Sequence, residues 1–306
     1  MTPTTPASAF SELHRSTPSL DTFLGSAHRA ALSEAPILIL GEPGTGRSTL
    51  ARGLHALSKR ASGPLIEVDI SAIPCTLFES ELFGFKAGAF TGAEESMSGR
   101  VERAHGGSLL LDHVEDIPFA AQPKLLRVLA ESRYSPLGGP ERTADVRFLG
   151  IGSEDLPARV TEGSFRQDLF YRLEVVTLRL PPLRERRGDL RTLIEFFLGD
   201  LEQRFGTEQL AVSDRARAWM EEYSWPGNLR ELRNVLERAL ITQGKGPLDP
   251  PCPDRRGGRP ESLAEVEEQQ IIRALAFTRG HQGKAAELLG ISRKTLWDKR
   301  RRYDIP

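Results

Sequence analysis

The stretch PILILGEPGTGRSTLARGLH, residues 36–55, is the most specific structural signal in this chain. It opens with a short apolar run typical of a buried strand and closes with residues of helical period. Between them lies Gly41-x-x-x-x-Gly46-Arg47-Ser48, at the strand-to-helix junction that a phosphate-binding loop requires. Glycines let consecutive backbone N–H groups turn inward on phosphates, and the helix adds its positive N-terminal end. The stretch therefore predicts a nucleotide site, against the alternative of an ordinary glycine turn.

One residue of this loop departs from the usual pattern. Ser48 is expected to hold Mg²⁺, whereas Arg47 stands where such loops normally carry lysine. A guanidinium is planar and bulkier than the compact ammonium of lysine, so we expect nucleotide binding to survive in a weakened form. The residues expected to contact ATP are Gly41, Glu42, Pro43, Gly44, Thr45, Gly46, Arg47, Ser48 and Thr49.

A second apolar run, in GGSLLLDHVEDIP (residues 106–118), ends in the carboxylate of Asp112. At the end of a strand, Asp112 is placed to reach Mg²⁺ through a coordinated water. The alternative is a solvated carboxylate that caps the strand. The following residue is His113, at a position that usually carries the glutamate that activates the attacking water.

Composition limits the possible functions. With 306 residues, of which 39% are hydrophobic, the chain can bury a substantial core and should form two or three compact units. Its net charge of -1 rules out any argument from overall basicity. The two cysteines, Cys75 and Cys252, lie far apart and indicate a reducing compartment without disulfides. Because the apolar runs are too short to cross a bilayer and the N-terminus lacks a signal-peptide pattern, we expect a cytoplasmic protein with no membrane partner.

The order of the patterns predicts an α/β domain followed by helical units. β-like runs over 37–40, 66–70, 108–111, 146–150 and 175–180 alternate with longer stretches of helical period. This alternation predicts a parallel sheet with helices on both faces. Residues 213–243 then read as helical, with a break at 225–227. The stretch GKGPLDPPCPDRRGGRPES, residues 244–262, has the proline and glycine content of a linker.

Three further stretches follow the glycine loop in a specific order. They are ESELFGFKAGAFTGAEE (79–95), FRQDLFYRLEVVTLRLPPLRERRGDL (165–190) and YSWPGNLRELRN (223–234). With them the chain resembles the sigma-54-dependent bacterial enhancer-binding proteins, which are AAA+ transcription activators with a Fis-type helix-turn-helix. The similarity runs from about residue 17 to the end. It implies a tail over 1–16, an AAA+ α/β ATPase subdomain over 17–183, a helical lid over 184–243, a linker over 244–261 and an all-α DNA-binding domain over 262–306.

The resemblance explains an uncharged stretch with a single aromatic side chain. In this family the loop formed here by Gly88, Ala89, Phe90, Thr91, Gly92 and Ala93 contacts the sigma factor when a hexamer binds nucleotide. Two glycines permit the φ and ψ changes of a hinge, and an exposed aromatic brings a large contact area at a low entropy cost. The alternative is that Phe90 folds back into the core.

The resemblance also assigns arginines to the nucleotide. Arg166 and Arg172 resemble residues that reach the γ-phosphate bound by a neighbouring subunit, where a positive charge stabilises the transition state. The alternative is a surface arginine in a salt bridge. Arg230, in the predicted lid, matches the second sensor of the family.

Four positions around the expected γ-phosphate depart from the family pattern. Arg47, Asp69, His113 and Ser153 stand in place of Lys, Asn, Glu and Asn. One interpretation is a subunit that binds ATP and DNA without hydrolysis, in a mixed ring with an active paralogue or as a repressor. The other is that His113 donates to Asp69, which orients the imidazole and raises its basicity, so that slow hydrolysis persists. The predicted catalytic residues are Asp112, His113, Asp69, Ser153, Arg166 and Arg172.

The C-terminal stretch SLAEVEEQQIIRALAFTRGHQGKAAELLGISRKTLWDKRRRYDIP has the pattern of a helix-turn-helix. Ile271, Ile272, Leu275 and Ala276 are expected to face Ala285, Leu288 and Leu289. A turn at Gly290 and Ile291 precedes a helix capped by Ser292, with Leu296 packed inward. Residues 292–303 hold six basic side chains against the single acid Asp298. The alternative is a solvated basic helix. The predicted DNA contacts are Ser292, Arg293, Lys294, Thr295, Trp297, Lys299, Arg300 and Arg301.

These features favour a sigma-54-dependent activator that binds upstream DNA and uses ATP in a ring to remodel the closed promoter complex. The expected partners are the sigma-54 RNA polymerase holoenzyme, double-stranded upstream DNA, and other copies of the chain, as a hexamer when active and a dimer when inactive. A hetero-oligomer with a paralogue is the other possibility for the ring. Because little sequence precedes the ATPase core, we expect no N-terminal regulatory domain and control by a separate protein. An AAA+ chaperone or protease subunit would explain neither the loop at Phe90 nor the helix-turn-helix.

Overall fold

The computed structural model describes residues 17–244, 247–252, 267, 270, 271, 274, 275, 278 and 281–303. Two compact units divide the chain between Cys252 and Pro253. The predicted tail over 1–16, the linker residues 253–261 and the predicted core residues Ile272 and Ala276 lie outside the described residues.

The first unit contains a parallel sheet, flanked by helices. Its strands are β1 (Ile37–Leu40), β2 (Leu65–Asp69), β3 (Gly84–Phe85), β4 (Met97–Ser98), β5 (Ser108–Asp112), β6 (Arg133–Tyr134), β7 (Arg142–Thr143), β8 (Arg147–Gly152), β9 (Val176–Arg179), β10 (Ala211–Val212) and β11 (Pro247–Leu248). Its helices are α1 (Asp21–Leu32), α2 (Arg47–Ala56), α3 (Phe78–Phe83), α4 (Arg100–Arg103), α5 (Gln122–Glu131), α6 (Leu156–Thr161), α7 (Gln167–Leu173), α8 (Leu190–Phe205), α9 (Asp214–Glu222) and α10 (Asn228–Gln243).

Among the described residues, five strands pair in parallel in the order β2-β5-β8-β1-β9. All four residues of β1 are buried, as expected for a continuous apolar run covered on both faces. One apolar core packs α3, α5 and α7 against the sheet, and a second packs α1 and α2. The predicted parallel sheet with helices on both faces is confirmed.

The register of the sheet positions the site. Asp69 at the end of β2 lies beside Asp112 at the end of β5, and Leu40 at the end of β1 lies beside Gly152 at the end of β8. Because these strands are parallel, their carboxyl ends share one edge of the sheet. The loops that follow them meet there, where parallel α/β folds bind ligands.

The lid is a helical layer formed by α8, α9 and α10 around Trp225, which is 2% exposed. The indole N–H of Trp225 donates to the carbonyl of Met220 at 3.0 Å, and this buried side chain fixes the predicted break between α9 and α10. One prediction needs correction here, because the linker does not start at Gly244. Strand β11 pairs with β10, and Leu248 is fully buried in the lid core. An apolar residue among prolines anchors this segment to the lid.

The second unit contains α11 (Gln282–Leu288) and α12 (Arg293–Arg302). Leu296 is 1% exposed and packs in one core with Ile271, Leu275 and Ala285, as predicted. The hydroxyl of Ser292 accepts from the backbone N–H of Thr295 at 3.0 Å, which confirms the predicted cap of α12. Leu288, by contrast, is 60% exposed and does not belong to this core.

Within the described residues, no helix has the length and apolar character needed to span a bilayer.

Candidate functional site

The glycine loop between β1 and α2 adopts a backbone that only glycine accommodates. Gly44 and Gly46 have φ of 80° and 106°. A Cβ added at Gly44 would lie 2.4 Å from the carbonyl oxygen of Gly227, and one at Gly41 would lie 2.6 Å from that of Leu180. The loop therefore stays narrow and leaves its N–H groups at the start of α2, which suits a phosphate.

Arg47 lies inside this loop, with 8% of its surface exposed. Its Nη1 donates to the carbonyl of Gly41 at 2.8 Å and to that of Gly152, at the end of β8, at 2.6 Å. Burial lowers the pKa of Arg47 from its usual value, and the carboxylates of Asp112 and Glu115 oppose this shift. The guanidinium thus ties the loop to β8 while it keeps positive charge beside the phosphate cradle.

Ser48 and Asp112 form the candidate metal pair. The Ser48 hydroxyl donates to Asp112 Oδ2 at 3.3 Å, so both oxygens face one point beside the start of α2. Hydroxyl and carboxylate oxygens suit Mg²⁺, which keeps several waters and binds substrate phosphates. Among the described residues, no group of three or more His, Cys, Asp or Glu could hold a metal ion.

His113 and Asp69 lie in contact, as the paired substitution predicts. Nδ1 of His113 is 3.1 Å from Asp69 Oδ1 and 3.7 Å from Asp112 Oδ1. Hydrogen bonds from Ser71 hold the pKa of Asp69 below its usual value, and His113 adds to this effect. Because an ionised carboxylate can only accept, Nδ1 of His113 is the nitrogen that carries the proton in this contact with Asp69. His113 itself has φ of 59°, a strained conformation for a residue other than glycine.

Ser153, which follows the end of β8, contacts an unpredicted residue, Glu115. The Ser153 hydroxyl donates to Asp155, while its backbone N–H donates to Glu115 Oε2 at 3.3 Å. Glu115 also lies close enough to Arg47 to influence its pKa. The sequence signal that could have identified Glu115 is its position three residues after Asp112.

Of the two candidate arginine fingers, Arg166 immediately precedes α7 and Arg172 lies in the last turn of that helix. Arg166 makes a bidentate ion pair with Asp168, at 3.0 and 2.7 Å, so within one subunit it has the surface salt bridge considered as the alternative. Arg172 is exposed, and its Nε donates to the carbonyl of Leu129 at 3.2 Å. Neither side chain has a hydrogen bond to Asp112 or Ser48 of its own subunit among the described contacts.

The lid closes on the loop through contacts that sequence patterns did not reveal. Glu42 accepts two hydrogen bonds from Arg184, at 2.8 and 2.6 Å, and one from Asn228 at 3.1 Å. Arg230 is exposed in the first turn of α10. A Cβ added at Gly44 would lie 3.2 Å from the Cβ of Arg230. Pro43 is exposed, Thr45 is fully buried, and Thr49 is half-buried in the first turn of α2.

The loop over 88–93 rises from the short ribbon of β3 and β4. Phe90 is 46% exposed and its ring centroid lies 5.0 Å from that of Phe85. Its neighbours Ala89, Thr91 and Gly92 lie at or near the surface, and Ala93 is buried. Gly88 and Gly92 have φ of 82° and 96°, and a Cβ at either would meet nothing within 4 Å. Phe90 is therefore not folded into the core.

In the second unit, the basic helix α12 presents most of its polar side chains to solvent. Trp297 is 54% exposed, and the guanidinium of Arg301 lies 5.7 Å from its ring centroid. Arg293 and Lys294 are exposed in the first turn, whereas Lys299 pairs with Glu267. The helix therefore offers a basic N-terminal turn and a separate basic C-terminal half. Thr295, in the first turn, and Arg300, in the C-terminal half, are half-buried.

Comparison with protein families and known proteins agrees with this architecture. Residues 13–179 match the sigma-54 interaction domain, 184–251 the AAA+ ATPase lid domain, and 262–303 the bacterial regulatory proteins of the Fis family. The chain is similar to the NtrX structure from Brucella abortus, with a TM-score of 0.73 and 32% identity over 96% of this chain and 70% of that one. A structure of NtrX in complex with ATP has a TM-score of 0.71 and 34% identity, over 94% of this chain and 68% of that one.

Curated relatives show the same pattern. The alginate biosynthesis transcriptional regulatory protein AlgB of Pseudomonas aeruginosa is 42% identical over 96% of this chain and 68% of its own length. The regulatory protein AtoC of Escherichia coli is 40% identical over 90% of this chain and 64% of its own length. The chain thus spans about two thirds of these relatives. With a sigma-54 interaction domain, an AAA+ lid and a Fis-type helix-turn-helix in sequence, this chain belongs to the sigma-54-dependent transcriptional regulators.

Proposed function

We propose that this chain binds ATP and Mg²⁺ at the phosphate loop, assembles into a ring in the cytoplasm, and remodels the closed complex of sigma-54 RNA polymerase from upstream DNA. One observation carries the proposal. An exposed phenylalanine stands on an uncharged, glycine-flanked loop in the same compact unit as the phosphate loop. A AAA+ protein without a sigma-factor partner has no need for such a tip. The NtrX relative is known in complex with ATP, which supports the choice of nucleotide.

The residues of the phosphate loop fit this ligand. The N–H groups at the start of α2 and the charges of Arg47 and Arg230 would hold the phosphates. Ser48 and Asp112 would hold Mg²⁺, which supplies neutralisation of the phosphate charge when it is bound.

We propose that hydrolysis is retained through His113 and Asp69. The carboxylate of Asp69 keeps the proton of His113 on Nδ1, so that Nε2 is free to take a proton from the attacking water. The water oxygen then forms the bond to the γ-phosphorus as the bond to ADP breaks. Ser153, the sensor position, and Arg166 and Arg172 from the neighbouring subunit would position and stabilise the transferred phosphoryl group. Release of Arg166 from Asp168 is required for that role.

At promoter DNA, the second unit would bind as paired copies. The early residues of α12, Ser292 to Thr295, suit base edges, while Lys299, Arg300 and Arg301 suit phosphates. Trp297 lies between these two groups and would pack on the DNA backbone. Control by a separate protein is part of the proposal, as is a homo-oligomeric ring, with a mixed ring as the other arrangement.

Two assays test the function. The first measures open-complex formation on a sigma-54 promoter by the wild-type chain, alone and with a competent relative. Activity of the wild type alone, lost in Phe90→Ala with DNA binding unchanged, supports the proposal. Activity only in the mixture overturns the proposed homo-oligomeric ring.

The second assay measures steady-state ATP turnover. We expect slow turnover by the wild type, a rise when His113→Glu is combined with Asp69→Asn, and none in Asp112→Ala. Absence of turnover by the wild type at any protein concentration overturns the proposed catalytic role of His113.

A further inference from the structure

Glu42 is an unexpected residue in a loop built for anions. A carboxylate beside phosphates is repelled by them, and this repulsion grows where water is excluded. In the structure the side chain turns away from the loop and towards the lid. Both of its oxygens accept from Arg184, at 2.6 and 2.8 Å, in the parallel geometry that makes arginine–carboxylate pairs strong. The ion pair neutralises the charge of Glu42 and connects the phosphate loop to the lid.

Asn228 provides the second contact. It is fully buried with φ of 52°, and its Nδ2 lies 3.1 Å from both Glu42 Oε2 and the carbonyl of Pro43. Its Oδ1 accepts from the backbone N–H of Leu183 at 2.8 Å. The amide therefore joins the entry segment of the lid, its central turn and the phosphate loop in one network.

The backbones also touch at this point. The N–H of Leu229 donates to the carbonyl of Gly44 at 2.9 Å. Arg186, 3% exposed, donates from Nη2 to the carbonyl of Thr45 at 2.8 Å. Because these bonds connect rigid elements at short distances, a shift of the phosphate loop must move the turn that begins α10 and carries Arg230.

We propose that Glu42 is a positioning residue, which holds the lid and Arg230 over the nucleotide through its contacts with Arg184 and Asn228. We call these three residues the lid latch. The inference deepens the proposed nucleotide binding and rests on it. In this arrangement a movement of the phosphate loop reaches the lid through Glu42, the second residue of the loop. This coupling adds to any contact of Arg230 with the nucleotide.

The test compares Glu42→Gln, Arg184→Ala, Arg184→Lys and the double variant Glu42→Gln/Arg184→Ala. Arg191→Ala is the matched control, since Arg191 forms an exposed ion pair with Glu195 within the lid helix α8 and has no such bond to the phosphate loop among the described contacts. Lid position is measured without nucleotide from the distance between spin labels at Ser62→Cys in the core and Ile241→Cys in the lid, in a background with Cys75 and Cys252 replaced by serine. Affinity is measured by equilibrium titration with N-methylanthraniloyl-ATP.

We expect broader label distances and an affinity loss on the order of fivefold in Glu42→Gln and Arg184→Ala. The double variant should lose little more than either single variant, because the two changes remove the same contact. Arg184→Lys should recover part of the affinity, and Arg191→Ala should match the wild type. A rescue by lysine separates positioning from a general loss of stability.

The outcomes separate this inference from the proposed function. If the wild type does not bind the ATP analogue, the proposed function fails, and the label distances still decide whether the latch holds the lid. If the wild type binds it and both single variants show the affinity and label distances of the Arg191→Ala control, the lid latch is wrong. Additive losses in the double variant would also overturn the coupling between Glu42 and Arg184.

Discussion

The guanidinium of Arg47, inside the phosphate loop, already donates to the carbonyls of Gly41 and Gly152. In Arg47→Lys, a shorter and more compact cation cannot bridge both carbonyls and is free to reach a phosphate. We expect the affinity for N-methylanthraniloyl-ATP to rise on the order of tenfold. The loss of the tie to β8 should lower the melting temperature by a few degrees, as about 1 kcal/mol does in a chain of moderate size.

The control for this exchange is Arg52→Lys. Arg52 lies on the same helix and forms an exposed ion pair with Glu67, so its substitution should leave affinity unchanged. Fluorescence titration and thermal melts of both variants check the prediction. If Arg47→Lys binds the analogue no more tightly than the wild type, the arginine is not what limits binding.

The ion pair of Glu42 should make the unfolding free energy depend on pH. The hydrogen bonds from Arg184 hold the pKa of Glu42 below the usual 4.5, so the folded chain releases this proton more readily than the unfolded chain. The stabilisation is therefore complete above about pH 5 and is lost as the pH falls through the lowered pKa. In urea unfolding from pH 7 to pH 3, the gap in unfolding free energy between the wild type and Glu42→Gln should narrow below pH 4.5. A gap that stays constant to pH 3 contradicts this.

Among the elements, the loop over 88–93 depends on a second hairpin, formed by β6 and β7. A Cβ at Gly138 in that hairpin would lie 2.9 Å from the Cβ of Ala89, and Gly138 has φ of 67°. Gly138→Ala should therefore push the loop away from the hairpin and strain the backbone by about 1 kcal/mol. We expect faster amide hydrogen exchange at Gly88, whose N–H donates to the carbonyl of Ala93 at 2.8 Å.

Gly163→Ala is the matched control for this element. Gly163 has φ of 77°, close to that of Gly138, but a Cβ there would meet nothing within 4 Å. It carries the backbone strain without the clash. Equal exchange at Gly88 in the two alanine variants would mean that the second hairpin does not hold the loop.

Local sequence patterns predicted some elements and contacts of this structure, but not all contacts between residues far apart in the chain. Strand β1 and the phosphate loop were predictable because a continuous apolar run and glycine spacing are local signals. The contact between His113 and Asp69 was predictable from paired departures at the two positions. The pairing of Glu42 with Arg184 was not, since 142 residues separate them and neither breaks a local pattern. The anchoring of Leu248 was missed because proline and glycine dominated the stretch around it.

At the scale of the whole molecule, DNA binding must come from a small part of the chain. The net charge is -1, yet residues 292–303 carry six basic side chains and one acid. Attraction to DNA is therefore local, and the logarithm of affinity should fall with the logarithm of salt concentration by about 0.9 for each phosphate contacted. Arg301→Ala should weaken binding to all sequences and reduce this slope by about one for each subunit bound.

Lys294→Ala should act differently, because Lys294 lies in the first turn of α12, where side chains reach base edges. We expect a loss of preference for the cognate site, with each lost base contact costing about 1 to 3 kcal/mol of discrimination. Arg215→Ala, which removes an exposed lid ion pair with Asp249, is the control and should change neither quantity. Competition titrations of the full chain with cognate and random DNA at several salt concentrations measure both. If Arg301→Ala leaves the salt slope unchanged, the basic helix is not the DNA-binding surface. If Arg215→Ala reduces the slope as well, the lid also takes part in binding DNA.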